Sequence, residues 1–103
     1  MSLFGKREQS FEEKFAHDEE LKFKILAKRN ALLGAWVTSL LGFGNAADQY
    51  GQALIELSVR EPGEDALFRK VRAAFNVKVS DREIRRQMQD LLHRATEEVT
   101  KGT

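Results

Sequence analysis

Cysteine is absent from the 103 residues, so neither disulfides nor thiolate nucleophiles hold this fold or do its work. No apolar run is long enough to span a bilayer. The longest apolar neighbourhood, Ala31 to Leu41, is interrupted by Gly34, Thr38 and Ser39. The opening Met1-Ser2-Leu3-Phe4-Gly5-Lys6 lacks the apolar stretch of a secretory signal. A cytoplasmic protein without direct membrane insertion is therefore expected. Formal charge is only +1, which argues against bulk attraction to nucleic acid. Metal-ligand spacing is missing too, because His17 and His93 are far apart and neither has a carboxylate at zinc-type spacing. Gly42-Phe43-Gly44 is half of a dinucleotide fingerprint with no strand before it, and is read as a helix stop.

What is present is helical periodicity, with hydrophobic residues at 42% of the chain, enough for one modest core. A first helix is expected to open at Ser10, which forms a capping box with Glu13, and to run to about Leu41. Its apolar stripe is Leu21, Ile25, Leu32, Trp36 and Leu40, widened by Phe23, Leu26, Leu33, Val37 and Leu41. A second helix over 46–59 is capped by Asn45, buries Ala47, Tyr50, Leu54 and Leu57, and stops at Glu61-Pro62-Gly63. A third over 64–75 begins with Glu64 and Asp65 at its positive end and buries Leu67, Phe68, Val71, Ala74 and Phe75. Ser80 and Glu83 repeat the capping box before a fourth helix to about Thr100, with Ile84, Met88, Leu91, Leu92, Ala95 and Val99 on one face. Short connections make this an all-α, antiparallel four-helix bundle with a long first helix.

Length and charge then divide the chain. At 1.5 Å per residue the fourth helix is about 30 Å long, and a first helix from 11 to 41 is about 46 Å. Residues before about 20 thus lack a partner in their own chain. This defines a flexible N-terminal arm, 1–19, and a bundle, 20–103. Residues 1–20 carry a net charge of −3 and the remainder +4. The arm holds Phe4, Phe11 and Phe15, the last two sharing a helix face, with Glu12 and Lys14 among its flanking charges. Such anchors suit a partner groove; the alternative is that they fold back on the bundle or that the arm frays.

Lys28-Arg29, Arg69-Lys70-Val71-Arg72 and Arg85-Arg86 are basic clusters on different helices. If two faced each other near Trp36 or Tyr50, they would hold a nucleotide by charge and stacking; the plainer reading is soluble surface. Asp18/Lys22, Glu20/Lys24, Arg86/Asp90 and Arg94/Glu98 are i,i+4 pairs of the kind found on solvated helices.

Four segments in order carry a resemblance: Phe15-Ala16-His17-Asp18-Glu19-Glu20-Leu21-Lys22-Phe23-Lys24; Ala27-Lys28-Arg29-Asn30 to Leu32-Leu33-Gly34-x-Trp36; Asp65-x-x-Phe68-Arg69-Lys70-Val71; and Ser80-x-x-Glu83-Ile84-Arg85-Arg86-x-Met88. Across essentially its whole length the chain resembles the zeta subunit of alphaproteobacterial F-type ATP synthases. The resemblance implies a non-catalytic inhibitor of ATP hydrolysis whose N-terminal segment enters an interface between the alpha and beta subunits, near gamma. That segment maps onto roughly Ser2 to Phe15. It implies a location peripheral to the inner membrane through the synthase. It also implies an ADP or ATP site on the bundle, with no cofactor required. Charge and motif position place that site at Lys28, Arg29, Asn30, Arg69, Lys70 and Arg85. The alternative is a nucleotide-sensing adaptor that does not itself inhibit.

Overall fold

The computed structural model describes residues 2–75 and 78–101, with side chains for 18–75 and 78–101. Its helices are α1 (Ser2–Leu41), α2 (Ala47–Arg60), α3 (Glu64–Phe75) and α4 (Asp81–Lys101), with a 3-10 turn at Gly44–Ala46 before α2. No strand occurs among the described residues. The first helix therefore begins at Ser2 rather than at the expected Ser10. Ser10 is inside the helix, where backbone N–H groups already have intrahelical acceptors and a capping box has no orphan donor to satisfy.

Glycine ends α1. Gly42 has φ of +82°, a left-handed conformation that costs little without a Cβ. The Gly42 N–H donates to the Ser39 carbonyl at 3.3 Å and the Phe43 N–H to the Thr38 carbonyl at 2.7 Å. This pair of bonds is a Schellman motif and satisfies carbonyls the helix end would orphan. Asn45 does not cap α2: it lies in the 3-10 turn, and the cap position is Ala46, with no side-chain cap bond. The turn's own Ala46 N–H to Phe43 carbonyl bond, at 2.8 Å, closes the entry instead. At α4 the Ser80 hydroxyl accepts the Glu83 N–H at 3.1 Å, forming that half of the expected box.

Interhelix contacts fix the directions. Gly34 meets Gly51, while Asn30 bonds Leu54 and Ser58, so α2 runs antiparallel to α1. Arg29 pairs with Glu64 and Trp36 with Phe75, so α3 follows the direction of α1. Arg85 covers Phe68 and Arg72 bonds Asp81, which turns α4 back along α3. The result is the antiparallel bundle.

The core is Leu33 and Val37 of α1, Leu54 of α2, Leu67, Phe68, Val71 and Phe75 of α3, and Ile84, Met88 and Leu91 of α4. Trp36 stands edge-on to Phe75 with ring centroids 5.1 Å apart, the arrangement the aromatic quadrupole favours. Of the expected stripe on α1, Leu33 and Val37 are buried and Leu32, Trp36 and Leu41 pack against the core. Phe23, Leu26 and Leu40 are exposed, and the buried line runs through Arg29, Asn30, Leu33 and Val37. The physical reason is at Gly34. A Cβ there would lie 2.7 Å from the Gly51 backbone, so the two glycines let α1 and α2 touch backbone to backbone. That approach rotates the buried face toward the small and polar residues of α1. Between Asp18 and Lys28 no α1 side chain is buried, and Leu21, Ile25 and Ala27 are half-covered.

Candidate functional site

Arg29 and Asn30 form a polar node inside the bundle. Arg29 is 0% exposed. Its Nη1 and Nη2 donate to the two carboxylate oxygens of Glu64 at 2.8 and 2.7 Å. Its Nε donates to Asn30 Oδ1 at 2.8 Å, and Nη1 also reaches the Met88 carbonyl at 3.3 Å. Asn30 Nδ2 donates to the Leu54 carbonyl at 3.0 Å and to Ser58 Oγ at 2.8 Å. Two adjacent residues thereby tie α1 to α2, α3 and α4. A bidentate guanidinium–carboxylate pair is among the stronger polar contacts. Burying an arginine is tolerated only when its donors are matched in this way. Both residues are expected nucleotide contacts, and the structure places their side chains inside the bundle.

The other sequence-derived basic residues divide among three places. Lys28 of α1 pairs with Glu98 of α4 at 3.4 Å. Arg94 donates to the same carboxylate at 3.2 Å. The hydrogen bond from Arg94, then that from Lys28, holds the Glu98 carboxyl below its ordinary range. Arg85 lies over the Phe68 ring, 3.9 Å from its centroid, a cation–π contact. Arg69 and Lys70 line a cleft between α2 and α3 of about 570 Å³, together with Tyr50, Leu57 and Glu61. The structure thus brings Arg69 and Lys70 to Tyr50, and keeps Lys28, Arg29, Asn30 and Arg85 out of that cleft's lining.

Tyr50 is the notable wall of this cleft. Its hydroxyl is buried and has no hydrogen-bond partner among the described residues, and burial raises the phenol above its ordinary value. An unpaired buried hydroxyl costs free energy unless something binds it. An aromatic ring, two cations and one carboxylate in one cleft suit an anionic ligand with a flat, polar body. In the sequence Tyr50 is one residue of the inner α2 face and a neighbour of the basic clusters; its unpaired hydroxyl has no signal in the chain. Glu64, read as a helix-start acid, was likewise missed as the partner of Arg29.

The arm candidates Phe4, Phe11, Phe15, Glu12 and Lys14, and also His17, have side chains outside the described residues. Of the expected surface pairs, Glu20–Lys24, Arg86–Asp90 and Arg94–Glu98 are present at 3.7, 3.9 and 3.2 Å. Lys22 pairs with Glu19 at 3.8 Å rather than with Asp18. Among the described residues no cluster of three or more His, Cys, Asp or Glu side chains is placed to hold a metal. No helix among them is long and apolar enough to cross a membrane.

A second apolar hollow, of about 260 Å³, lies where α1 leaves the bundle, between Phe23 and Leu26 of α1 and Ile55 and Val59 of α2. No curated protein and no solved structure matches the chain. A family model does, over nearly the entire length that the helices and this site occupy. The chain belongs to the ATPase inhibitor subunit zeta family, whose model matches residues 1–98.

Proposed function

We propose that this chain is a non-catalytic inhibitor of ATP hydrolysis by the catalytic sector of an F-type ATP synthase. Its N-terminal segment, roughly Ser2 to Phe15, inserts at an interface between the alpha and beta subunits near gamma. Phe4, Phe11 and Phe15 are the apolar anchors, and Glu12 and Lys14 contribute charged flanks. The observation that carries this reading is the family match over residues 1–98, which includes the segment concerned. The architecture supports it. α1 has 40 residues against 21 in α4, so at about 1.5 Å per residue it outruns its longest partner by about 28 Å. Each anchor contributes about 1.5–3 kcal/mol when buried. Ordering the backbone costs about 1–2 kcal/mol per residue, so the bundle must dock as well for the complex to be tight. The inhibitor acts by obstruction; the chemistry it stops belongs to the enzyme, and the protein sits at the membrane's edge only through that enzyme.

The cleft at Tyr50, Arg69 and Lys70 favours a second role, binding of ADP or ATP. The two cations would hold phosphate oxygens, and Tyr50 would supply a ring face. If this cleft carried the main function, the chain would be a nucleotide-sensing adaptor.

The deciding experiment is ATP hydrolysis by the cognate catalytic sector with added full-length chain or chain lacking residues 1–15. Suppression by the full-length chain alone supports the inhibitory arm. If neither chain suppresses turnover while both bind ADP, the adaptor reading replaces it. For the cleft, Arg69→Ala and Lys70→Ala are expected to abolish ADP-induced NMR shifts that Arg85→Ala leaves in place. Shifts that survive both cleft variants would place the nucleotide elsewhere.

A further inference from the structure

Charge is spread unevenly over the bundle. Residues 72–86, from the end of α3 into the first turns of α4, contain five cationic side chains and two carboxylates. Two contacts hold α3 and α4 together here. The Arg85 guanidinium covers Phe68 of α3. Arg72 Nη1 donates to Asp81 Oδ1 at 2.7 Å, beside Arg82. Arg82, Arg85 and Arg86 then follow one another at helical spacing on α4 and are all exposed. Of the two carboxylates, Asp81 is bonded to Arg72. Arg86 has only a long contact to Asp90, at 3.9 Å, with both side chains largely in solvent. Arg82 and Lys78 form no ion pair among the described residues.

We infer that this α3/α4 ridge is a docking surface for a carboxylate-rich protein segment, and that its partner is an acidic surface of the synthase's catalytic sector. The choice of partner rests on the inhibitor reading; the choice of chemistry rests on the ridge. Arginine dominates it, and the guanidinium fork matches carboxylates two bonds at a time. Within the chain Arg72 already holds a carboxylate, that of Asp81, at 2.7 Å. It lacks the exposed rings that single-stranded nucleic acid stacks upon, since Phe68 lies buried beneath Arg85. It also lacks an outward apolar face for a bilayer, because Ile84 and Met88 point into the core. A second anchoring surface on the bundle answers the weakness of an arm that binds alone. Opposed charges would act mainly by speeding and orienting encounter.

The test compares full-length wild type with R82E/R86E and with R60E/K101E, which makes the same charge change at the ends of α2 and α4. Arg82 and Arg86 are exposed and neither makes a short ion pair, so R82E/R86E should melt within a few degrees of wild type. Affinity for the catalytic sector is measured by surface plasmon resonance at low and high salt, alongside ATP hydrolysis. The expected result is a Kd weakened about tenfold in R82E/R86E, mostly through kon and shrinking with salt, with inhibition at saturation retained. R60E/K101E should stay close to wild type. Equal affinity for the two variants overturns the ridge, as does an R82E/R86E that loses only its retention on heparin or anionic phospholipid vesicles. A wild type that binds without slowing hydrolysis defeats the inhibitor reading, and the Kd comparison still judges the ridge.

Discussion

Arg29 and Glu64 face each other through two parallel hydrogen bonds of 2.8 and 2.7 Å, joining the middle of α1 to the first residue of α3. The carboxylate is half-exposed and the guanidinium wholly buried. The pair is therefore asymmetric: Glu64 has water as an alternative, and Arg29 does not. Arg29→Ala or Glu64→Ala leaves partners unmatched, and losing Glu64 strands a buried cation, which costs about 3–5 kcal/mol. Urea unfolding should show that loss for Glu64→Ala. Arg29→Met with Glu64→Leu removes both charges together and should recover much of it.

Gly34 is a second point of fragility. A methyl group there would stand 2.7 Å from backbone atoms of Gly51, and helical backbone has little room to give. Gly34→Ala gains helix propensity of about 1 kcal/mol and loses more by prising α1 from α2. A net destabilisation of about 1–3 kcal/mol is expected, read as a lower midpoint in urea with an unchanged slope. A variant as stable as wild type would show that the helices slide apart without penalty.

Tyr50 links stability to alkaline pH. Burial raises its phenol above the ordinary value of 10.0, so the unfolded chain ionises first and binds fewer protons than the folded one. Stability is then full below about pH 10 and falls as pH rises from there toward the folded value. Tyr50→Phe removes the vacant hydroxyl and this pH dependence together. It should match wild type to within about 1 kcal/mol near neutrality and be the more stable of the two above pH 10. Thermal melts across that range decide it.

Glu98 has the opposite sign. Its carboxyl is held below the ordinary 4.5 by the hydrogen bond from Arg94 and then by Lys28. The stabilisation is present above the ordinary value and lost as pH falls through the folded one. In an NMR titration the Glu98 side chain should titrate below that value, and return toward it in Arg94→Ala. Because the group is in solvent, salt should also weaken the effect.

The sequence alone determined the helices. Period, the Gly42 and Pro62-Gly63 stops and the Ser80 cap are local causes, each acting within a turn or two of chain, and α3 came out at its observed bounds. The start of α1 and the cap of α2 were misplaced, since good side-chain caps were available at Ser10 and Asn45 and the backbone used neither. What only the tertiary structure decided is which face of α1 turns inward. The expected stripe weighed hydrophobicity alone, whereas the Gly34–Gly51 approach and the Arg29–Glu64 pair join residues 17 and 35 positions apart. No local pattern encodes a partner so distant. The same holds for the candidate sites. Basic clusters were visible as composition, but whether an arginine enters the core as Arg29, faces a cleft as Arg69, or covers a ring as Arg85 depends on where the other helices lie. Burial and pairing are properties of the assembled bundle, so residues alike in the chain became unlike in the fold.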